Sequence, residues 1–238
     1  MKKQAATREF TPVALGVTAS MTIRNTLRTF DSQNVMGKIE GADPAHRDEY
    51  VVYTAHWDHL GKSAEGIFHG AVDNASGTGS ILEIARAMLK VAPAPQRSVL
   101  FVSVTAEEQG LLGSEYYAVT PVYPLAKTLA NINIDGINVH GRTKDITLIG
   151  YGASDLDDYT RAAAAEQSRT IRPDAEPEKG GYYRSDHFNF AKLGVPALDP
   201  DGASTSSASR RVTARRCATT TRTSGTTRRP TSSRRSGI

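Results

Sequence analysis

Apolar, strand-like segments alternate with helical repeats between residues 49 and 198, and this alternation constrains the fold more than any other feature of the sequence. Continuous apolar runs predict buried strands at residues 49–55, 97–105, 129–134, 146–150 and 195–198. Apolar positions at helical spacing predict one helix over 77–91, which Pro93 ends, and another helix over 154–167. Strands that alternate with helices favour an α/β fold with a largely parallel sheet covered on both faces.

The formal charge of +4 conceals two parts of opposite sign. Residues 203–238 contain nine Arg and no Lys, Asp or Glu, so this tail carries +9. The other residues hold the remaining 20 of the 29 basic side chains and all 25 acidic ones, a charge of −5. The single cysteine, Cys217, also lies in the tail. Disulfides and thiolate metal sites are therefore excluded from the rest of the chain, where any metal must be bound by His, Asp and Glu.

Polar side chains directly follow three of the predicted strands. His56 follows the first strand, the pair Glu107 and Glu108 follows the second, and Asp135 follows the third. In α/β sheets ligands gather at the carboxyl ends of the strands. The order of these residues therefore predicts a ligand site at that edge of the sheet.

Four short motifs carry the chemistry: His56-x-Asp58, residues 73–77, Glu107-Glu108 and Asp135-Gly136. Each alone has a structural explanation, as a hydrogen-bonded His, a helix N-cap, a solvated Glu pair or a turn. Their joint occurrence, each at a strand or helix edge, favours a functional site. A hydrolase with two zinc ions needs a bridging carboxylate, terminal nitrogen and oxygen ligands on each metal, and a separate carboxylate as general base.

Five segments carry a family resemblance. They read AHWDHLG at 55–61, AVDNASG at 71–77, TAEEQGLLGS at 105–114, NIDG at 133–136 and YRSDH at 183–187. In this order they closely resemble the bacterial leucine aminopeptidase family of co-catalytic, two-zinc peptidases. The resemblance implies a three-layer α/β/α sandwich around a mixed, mostly parallel sheet, two zinc ions and peptide substrates. It also implies an exported enzyme, periplasmic or secreted, whose signal would lie upstream of Met1.

The resemblance also implies roles for individual residues. His56, Asp73 and Asp135 would hold one zinc ion, with Asp73 bridging to a second ion that Glu108 also binds. Glu107 would be the general base, Asp58 would orient His56, and Tyr183 would polarise the scissile carbonyl. His187 would lie near the pocket without being a ligand.

The chain departs from the family in its last segment. The family's second zinc takes its final ligand from a His in a downstream Tyr-His-x-x-x-Asp motif, and no His follows Asp201. A shifted reading frame over the tail would explain this loss. The second site then keeps only Asp73 and Glu108, so the sequence predicts at most one tightly bound zinc ion. The tail's arginines also fit a nucleic-acid-binding arm, but the tail lacks aromatic residues and the rest of the chain is acidic, so no nucleic-acid partner is expected.

The sequence divides into three parts. Residues 1–33, which include a strand-like stretch at 11–22, are interpreted as the remnant of an upstream segment or inserted domain. Residues 34–201 form an incomplete zinc-peptidase domain. Residues 202–238 form an anomalous Arg/Ser/Thr-rich tail, which is expected to be disordered because it has too little apolar surface to fold. No apolar run reaches the roughly 18 residues that cross a bilayer.

The favoured function is that of a zinc-dependent metallopeptidase that removes N-terminal residues from peptides. Three alternatives stay open. They are a carboxypeptidase of the same clan, a glutaminyl cyclase of that clan, and a non-catalytic protein that keeps the fold. The cyclase is disfavoured because the Glu107-Glu108 pair and the full first-zinc set suit two-metal hydrolysis.

Overall fold

A computed structural model describes residues 8–12, 14–139 and 141–202. The chain divides into two units, residues 1–33 and 34–238. Within the first unit, the described residues form no helix or strand, so the strand expected at 11–22 is wrong for the part that is described. Its apolar side chains, such as Leu15 and Val17, are exposed rather than packed. The interpretation of residues 1–33 as a remnant stays a prediction, and the expected disorder of the tail lies outside the described residues.

The second unit contains nine strands and four α-helices among its described residues. The strands are β1 (Val35–Ile39), β2 (Tyr50–His56), β3 (Gly61–Ser63), β4 (Gly66–Phe68), β5 (Ser98–Val104), β6 (Thr128–Asn133), β7 (Asp145–Ile149), β8 (Thr170–Pro173) and β9 (Ala197–Asp201). The helices are α1 (Ala75–Met88), α2 (Leu112–Val119), α3 (Leu156–Glu166) and α4 (His187–Ala191). No helix of the described residues has the length and apolar character that a membrane crossing requires.

Seven of the strands form one mixed sheet in the order β1-β5-β2-β6-β9-β7-β8. The central strands β5, β2, β6 and β9 are mutually parallel. Antiparallel pairs join β1 to β5 and β7 to β9, while β8 runs parallel to β7. The sheet is therefore mixed and mostly parallel, as predicted. Strands β3 and β4 form a separate two-stranded hairpin.

The sheet has an apolar core on each face. Because successive strand residues point to opposite faces, β5 contributes to both cores. Leu100, Val102 and Val104 pack with Tyr117 of α2 and other buried residues on one face. On the other face, Val99 and Phe101 pack against α1. Helices therefore cover both faces, which confirms the predicted three-layer α/β/α sandwich.

The structure also contains elements that the sequence patterns did not predict. Residues 61–70, where no strand or helix was predicted, contain the β3–β4 hairpin, whose three-residue strands are too short and too exposed to give an alternating pattern. Helix α2 was not predicted either, and its first residues include Gly113 in close contact with Thr105. These two segments flank the carboxyl ends of β2 and β5, where the predicted site residues lie.

Candidate metal centre

His56 is the last residue of β2 and is 1% exposed. Its Nδ1 donates a hydrogen bond to the backbone carbonyl of Asp58 at 3.0 Å. Its Nε2 faces two carboxylates, 3.1 Å from Asp73 Oδ1 and 3.0 Å from Asp135 Oδ1, to which it donates a hydrogen bond. Because Nδ1 is held by the Asp58 carbonyl, Nε2 is the ring nitrogen that could bind a metal once its proton is displaced.

Asp58 contacts His56 mainly through its main chain. Its carboxylate Oδ1 lies 3.9 Å from His56 Nδ1, beyond hydrogen-bond distance, and instead accepts a bond of 3.4 Å from the backbone N–H of Glu107. Asp58 therefore links the loop after β2 to the loop after β5.

Asp73 lies in the turn that precedes α1, and its peptide bond to Asn74 is cis. Asn74 is buried and caps α1 by accepting a bond from the backbone N–H of Gly77. The same side chain accepts a bond from the Gly136 N–H and donates one to the Ile134 carbonyl. One buried amide therefore joins the start of α1, beside Asp73, to the end of β6.

Asp135 follows β6 and is supported by a buried chain of hydrogen bonds. Ser185 donates to Asp135 Oδ2 at 2.7 Å, and Asn133 Nδ2 donates to the Ser185 hydroxyl at 2.7 Å. Burial alone raises the pKa of the Asp135 carboxyl, but the hydrogen bonds from His56 and Ser185 hold that pKa below its ordinary value. Asp135 therefore stays an anion, the form that a cation requires.

The two glutamates after β5 have different surroundings. Ala106 takes a left-handed conformation with a φ of 54°, which turns the chain sharply as it leaves the strand. Glu107 is 9% exposed, and burial raises the pKa of its carboxyl to about 8. The adjacent Glu108 points Oε1 at His59 Nδ1, 2.6 Å away.

The described residues form two groups that have the composition of metal sites. One consists of His56, Asp73 and Asp135, and the other of His59, Asp73 and Glu108. In each group the candidate ligand atoms lie within 4.8 Å of one another. The nitrogen and oxygen donors are those that zinc takes in proteins. Asp73 belongs to both groups.

All four metal ligands expected from the sequence are brought together, and His59 joins them. The expectation that the second site has only two carboxylates overlooked His59, although it stands in the 55–61 motif three residues after His56. His187, in contrast, is fully buried against Asp199, with Nδ1 3.3 Å from Oδ2, and belongs to neither group. Burial lowers the pKa of His187 to about 4.

A pocket of about 440 Å³ opens beside the metal groups. Glu107, Glu108 and Tyr183 line it together with Phe188 and Lys192. Tyr183 is 62% exposed, and its ring packs edge-on against that of Phe188. The predicted general base, one predicted metal ligand and the predicted carbonyl-polarising residue therefore share one cavity.

Comparison with known families identifies the family of the chain. The family model described as peptidase family M28 matches residues 34–223. The chain belongs to peptidase family M28. The match extends past the expected domain end at residue 201 and includes part of the tail.

Curated relatives of this M28 chain carry peptidase names. It is 38% identical over 125 residues to aminopeptidase NAALADL1 of Mus musculus. This alignment covers 50% of this chain and 16% of that protein. It is 31% identical over 172 residues to leupeptin-inactivating enzyme 1 of Streptomyces exfoliatus, and this alignment covers 72% of this chain and 37% of that protein. Relatives from Arabidopsis thaliana and Caenorhabditis elegans are named as glutamate carboxypeptidases. The M28 chain thus spans well under half the length of these relatives.

Among solved structures, the M28 chain is similar to BSAP, a zinc aminopeptidase from Bacillus subtilis. The TM-score is 0.56 at 25% identity, and the alignment covers 71% of this chain and 39% of that one. The resemblance seen in the sequence is therefore confirmed for peptidase family M28, while the finer assignment to the leucine aminopeptidases stays a prediction. The donor set of the two residue groups is compatible with the zinc named for BSAP.

Proposed function

We propose that this M28 chain is a zinc-dependent aminopeptidase of the leucine aminopeptidase type, which hydrolyses N-terminal residues from peptides. The observation that carries the proposal is the pair of ligand groups that share Asp73, with Glu107 beside them and outside both. A shared carboxylate between two ligand sets is the arrangement that two-metal hydrolysis requires. In this proposal the metal ligands, Glu107 and Tyr183 keep the roles expected from the sequence, and Asp58 orients His56 through its backbone carbonyl.

Bound zinc would supply Lewis acidity, which polarises the peptide carbonyl and makes water acidic enough to lose a proton. Glu107 would accept a proton from the attacking water and deliver it to the leaving amine. A carboxylate whose pKa is raised toward neutrality suits both transfers, and burial raises the pKa of Glu107 in this way. Tyr183, at the pocket wall, would donate a hydrogen bond to the carbonyl oxygen as negative charge develops there.

The charge of the pocket favours a substrate with a free amino terminus. A second pocket at the ligand groups, about 320 Å³ in volume, is lined by six carboxylates and one guanidinium, that of Arg184. Two of these carboxylates, Asp199 and Asp201, belong to neither ligand group and are not Glu107. Burial raises the pKa of Asp199 to about 7, whereas Asp201 is exposed, so the carboxylate of Asp201 suits the ammonium group of a peptide's first residue.

Arg184 supports the second candidate, a carboxypeptidase. A guanidinium binds a carboxylate in a bidentate way, and Arg184 lines both pockets beside Glu107 and Glu108. Relatives named as carboxypeptidases point the same way.

The test compares two substrates on zinc-loaded protein. Leucine p-nitroanilide has a free amino group and no carboxylate, whereas an N-acetylated dipeptide has a free carboxylate and no amino group. We expect hydrolysis of the anilide alone. Hydrolysis of the acetylated dipeptide alone would show a carboxypeptidase. Turnover of neither substrate by protein that holds zinc would favour the non-catalytic alternative.

A further inference from the structure

His59 supplies the imidazole that the second metal site lacks when it is defined by Asp73 and Glu108 alone. We infer that His59, through Nδ1, is the third protein ligand of the second zinc ion. The chain would then build both metal sites from residues 56–135, with no ligand from the tail. This inference rests on the proposed zinc centre, but not on which peptide bond the centre hydrolyses.

The contact between His59 and Glu108 is the first observation. Nδ1 of His59 and Oε1 of Glu108 lie 2.6 Å apart, yet neither buried atom has a hydrogen-bond partner among the described residues. A nitrogen lone pair that faces a carboxylate oxygen is repulsive unless a proton or a cation lies between them. Buried polar atoms are seldom left without a partner, because an unpaired group costs about 1–3 kcal/mol.

The position of Asp73 indicates a metal ion rather than a proton. Asp73 Oδ1 lies 3.9 Å from His59 Nδ1, too far for a hydrogen bond but within the span of one coordination shell. The same oxygen lies 3.1 Å from His56 Nε2 in the first group. A proton can bridge only one pair of these atoms, whereas a metal cation can bind His59, Glu108 and Asp73 at the same time.

The two groups then have the same composition. Each contains one imidazole, one carboxylate of its own and the shared carboxylate of Asp73. Three protein ligands are the usual number for a catalytic zinc ion, which keeps a further position open for water or substrate. With Asp73 and Glu108 alone, the second site would fall short of that number.

The local fold holds His59 in place. His59 lies directly before the β3–β4 hairpin, and its ring meets that of Phe68 edge-on, with centroids 6.4 Å apart. Gly70, at a φ of +61°, leaves room for it, since a Cβ there would lie 2.8 Å from the His59 Cβ. The Gly70 carbonyl also accepts a bond from the Ala75 N–H, which ties the end of the hairpin to the turn of Asp73. The hairpin therefore brings His59 to the shared ligand.

The first test counts zinc by mass spectrometry after dialysis, for the full chain and for His59→Asn. Asparagine keeps a polar atom near the position of Nδ1 but is a poor zinc ligand. We expect about two zinc ions per wild-type chain and about one per variant. His69→Asn is the matched control, because His69 is exposed on the same hairpin segment and belongs to neither group, and it should keep both ions.

The second test needs no variant and so does not depend on how well His59→Asn folds. X-ray absorption at the zinc edge of wild-type protein loaded with two ions should show about one imidazole per zinc. An average near one half would mean that the second ion has no His ligand and would overturn the inference. Sulfur scattering would overturn it as well, since it would show Cys217 as the ligand.

Two further outcomes separate this inference from the proposed function. Zinc counts that match the expectation, without hydrolysis of either substrate, would refute the peptidase proposal and leave His59 as a ligand. If His59→Asn keeps two ions, or if wild type holds one ion that His59→Asn also keeps, the inference is wrong while the peptidase proposal stands. A wild-type chain that binds no zinc would refute both.

Discussion

At the scale of single residues, the adjacent side chains of Glu107 and Glu108 have different surroundings, which suit them to different chemical roles. Glu108 faces His59 across 2.6 Å and belongs to a ligand group. Glu107 is more deeply buried and belongs to neither group. Burial raises the pKa of Glu107 to about 8, and the carboxylates near it act in the same direction. One glutamate can therefore hold a cation while its neighbour exchanges a proton.

Replacing Glu107 by Gln tests this division. The amide has nearly the same shape but cannot accept a proton, so zinc content should stay near that of wild type. The rate of anilide hydrolysis should fall by about 10²- to 10⁴-fold, the usual contribution of general acid–base catalysis. Both quantities are measured on the same dialysed sample.

Glu115→Gln provides the control for Glu107→Gln. Glu115 lines the same pocket but forms a half-exposed ion pair with Lys192, so its replacement should change the rate little. If Glu107→Gln keeps the wild-type rate with normal zinc content, Glu107 is not the base.

The sequence was sufficient to predict that four candidate ligands meet, but not that His59 joins them. His56, Asp73, Glu108 and Asp135 each stand where a strand ends or a helix begins, so the pattern of the elements indicates where they meet. His59 stands in a loop, and a short exposed hairpin with no periodic signal brings it to the site. Contacts such as that between His59 and Gly70 depend on three-dimensional structure and have no local sequence pattern.

At the scale of elements, the centre depends on how closely α1 approaches the end of β6. Gly77 in the first turn of α1 has no room for a side chain: a Cβ there would lie 2.1 Å from Asn74 Oδ1 and 2.3 Å from the Ile134 carbonyl oxygen. Asn74 and Ile134 are part of the link between the Asp73 turn and the loop of Asp135. The spacing between two metal ligands is therefore set by a helix–strand contact.

Gly77→Ala should push α1 away from β6 and disrupt the Asn74 cap. We expect the free energy of unfolding to fall by about 2–4 kcal/mol, from overpacking and the lost cap together. Zinc affinity should fall as well, because Asp73 moves relative to Asp135. Urea denaturation of the zinc-free protein measures the first effect, and a zinc titration measures the second.

Gly79→Ala is the control in the same helix, and it is expected to change stability in the opposite direction. A Cβ at Gly79 would meet nothing within 4 Å, so the substitution should stabilise the helix by about 0.5–1 kcal/mol and leave zinc binding unchanged. Equal stabilities for the two variants would show that the contact at Gly77 is not tight.

The elements that the sequence predicted are those with long periodic patterns. The expected strand over 49–55 corresponds to β2, and the helix expected over 77–91 corresponds to α1, each within a few residues. Helix α2 was missed because the glycines that precede and begin it are also typical of turns. Edge strands β1 and β8 were missed because their residues are largely exposed and so lack an apolar run.

At the scale of the whole molecule, the fold brings like charges together at one edge of the sheet. The side chains of Asp73, Glu107, Glu108 and Asp135 line one pocket with Asp199 and Asp201. Carboxylates at such short range repel one another, and the repulsion grows as water is excluded. Two divalent cations would replace this repulsion by attraction, so the stability of the folded state should depend on bound metal.

Chelation should therefore lower the melting temperature. A ligand at about 1,000 times its dissociation constant stabilises the native state by about 4 kcal/mol. For a chain of this length each kcal/mol corresponds to roughly 2–4 °C, so EDTA should lower the midpoint by about 8–16 °C. Calorimetry before and after chelation measures the shift.

Asp73→Ala provides the control for chelation. It removes the ligand that both groups share, so its melting temperature should not respond to EDTA. If wild type and Asp73→Ala respond equally, the stabilising metal is bound elsewhere.

If each ligand group binds an ion, as proposed, Asp73 also couples the two binding events. Its carboxylate is 58% exposed, although it is shared by both ligand groups. The ion that binds first fixes the orientation of this side chain, and it brings a positive charge close to the site of the second. Coupling between two binding events is reciprocal, so each ion changes the affinity for the other by the same factor. Binding of the two ions would then be cooperative. The cooperativity would be positive if orienting Asp73 helps the second ion more than repulsion from the first ion hinders it, and negative in the opposite case.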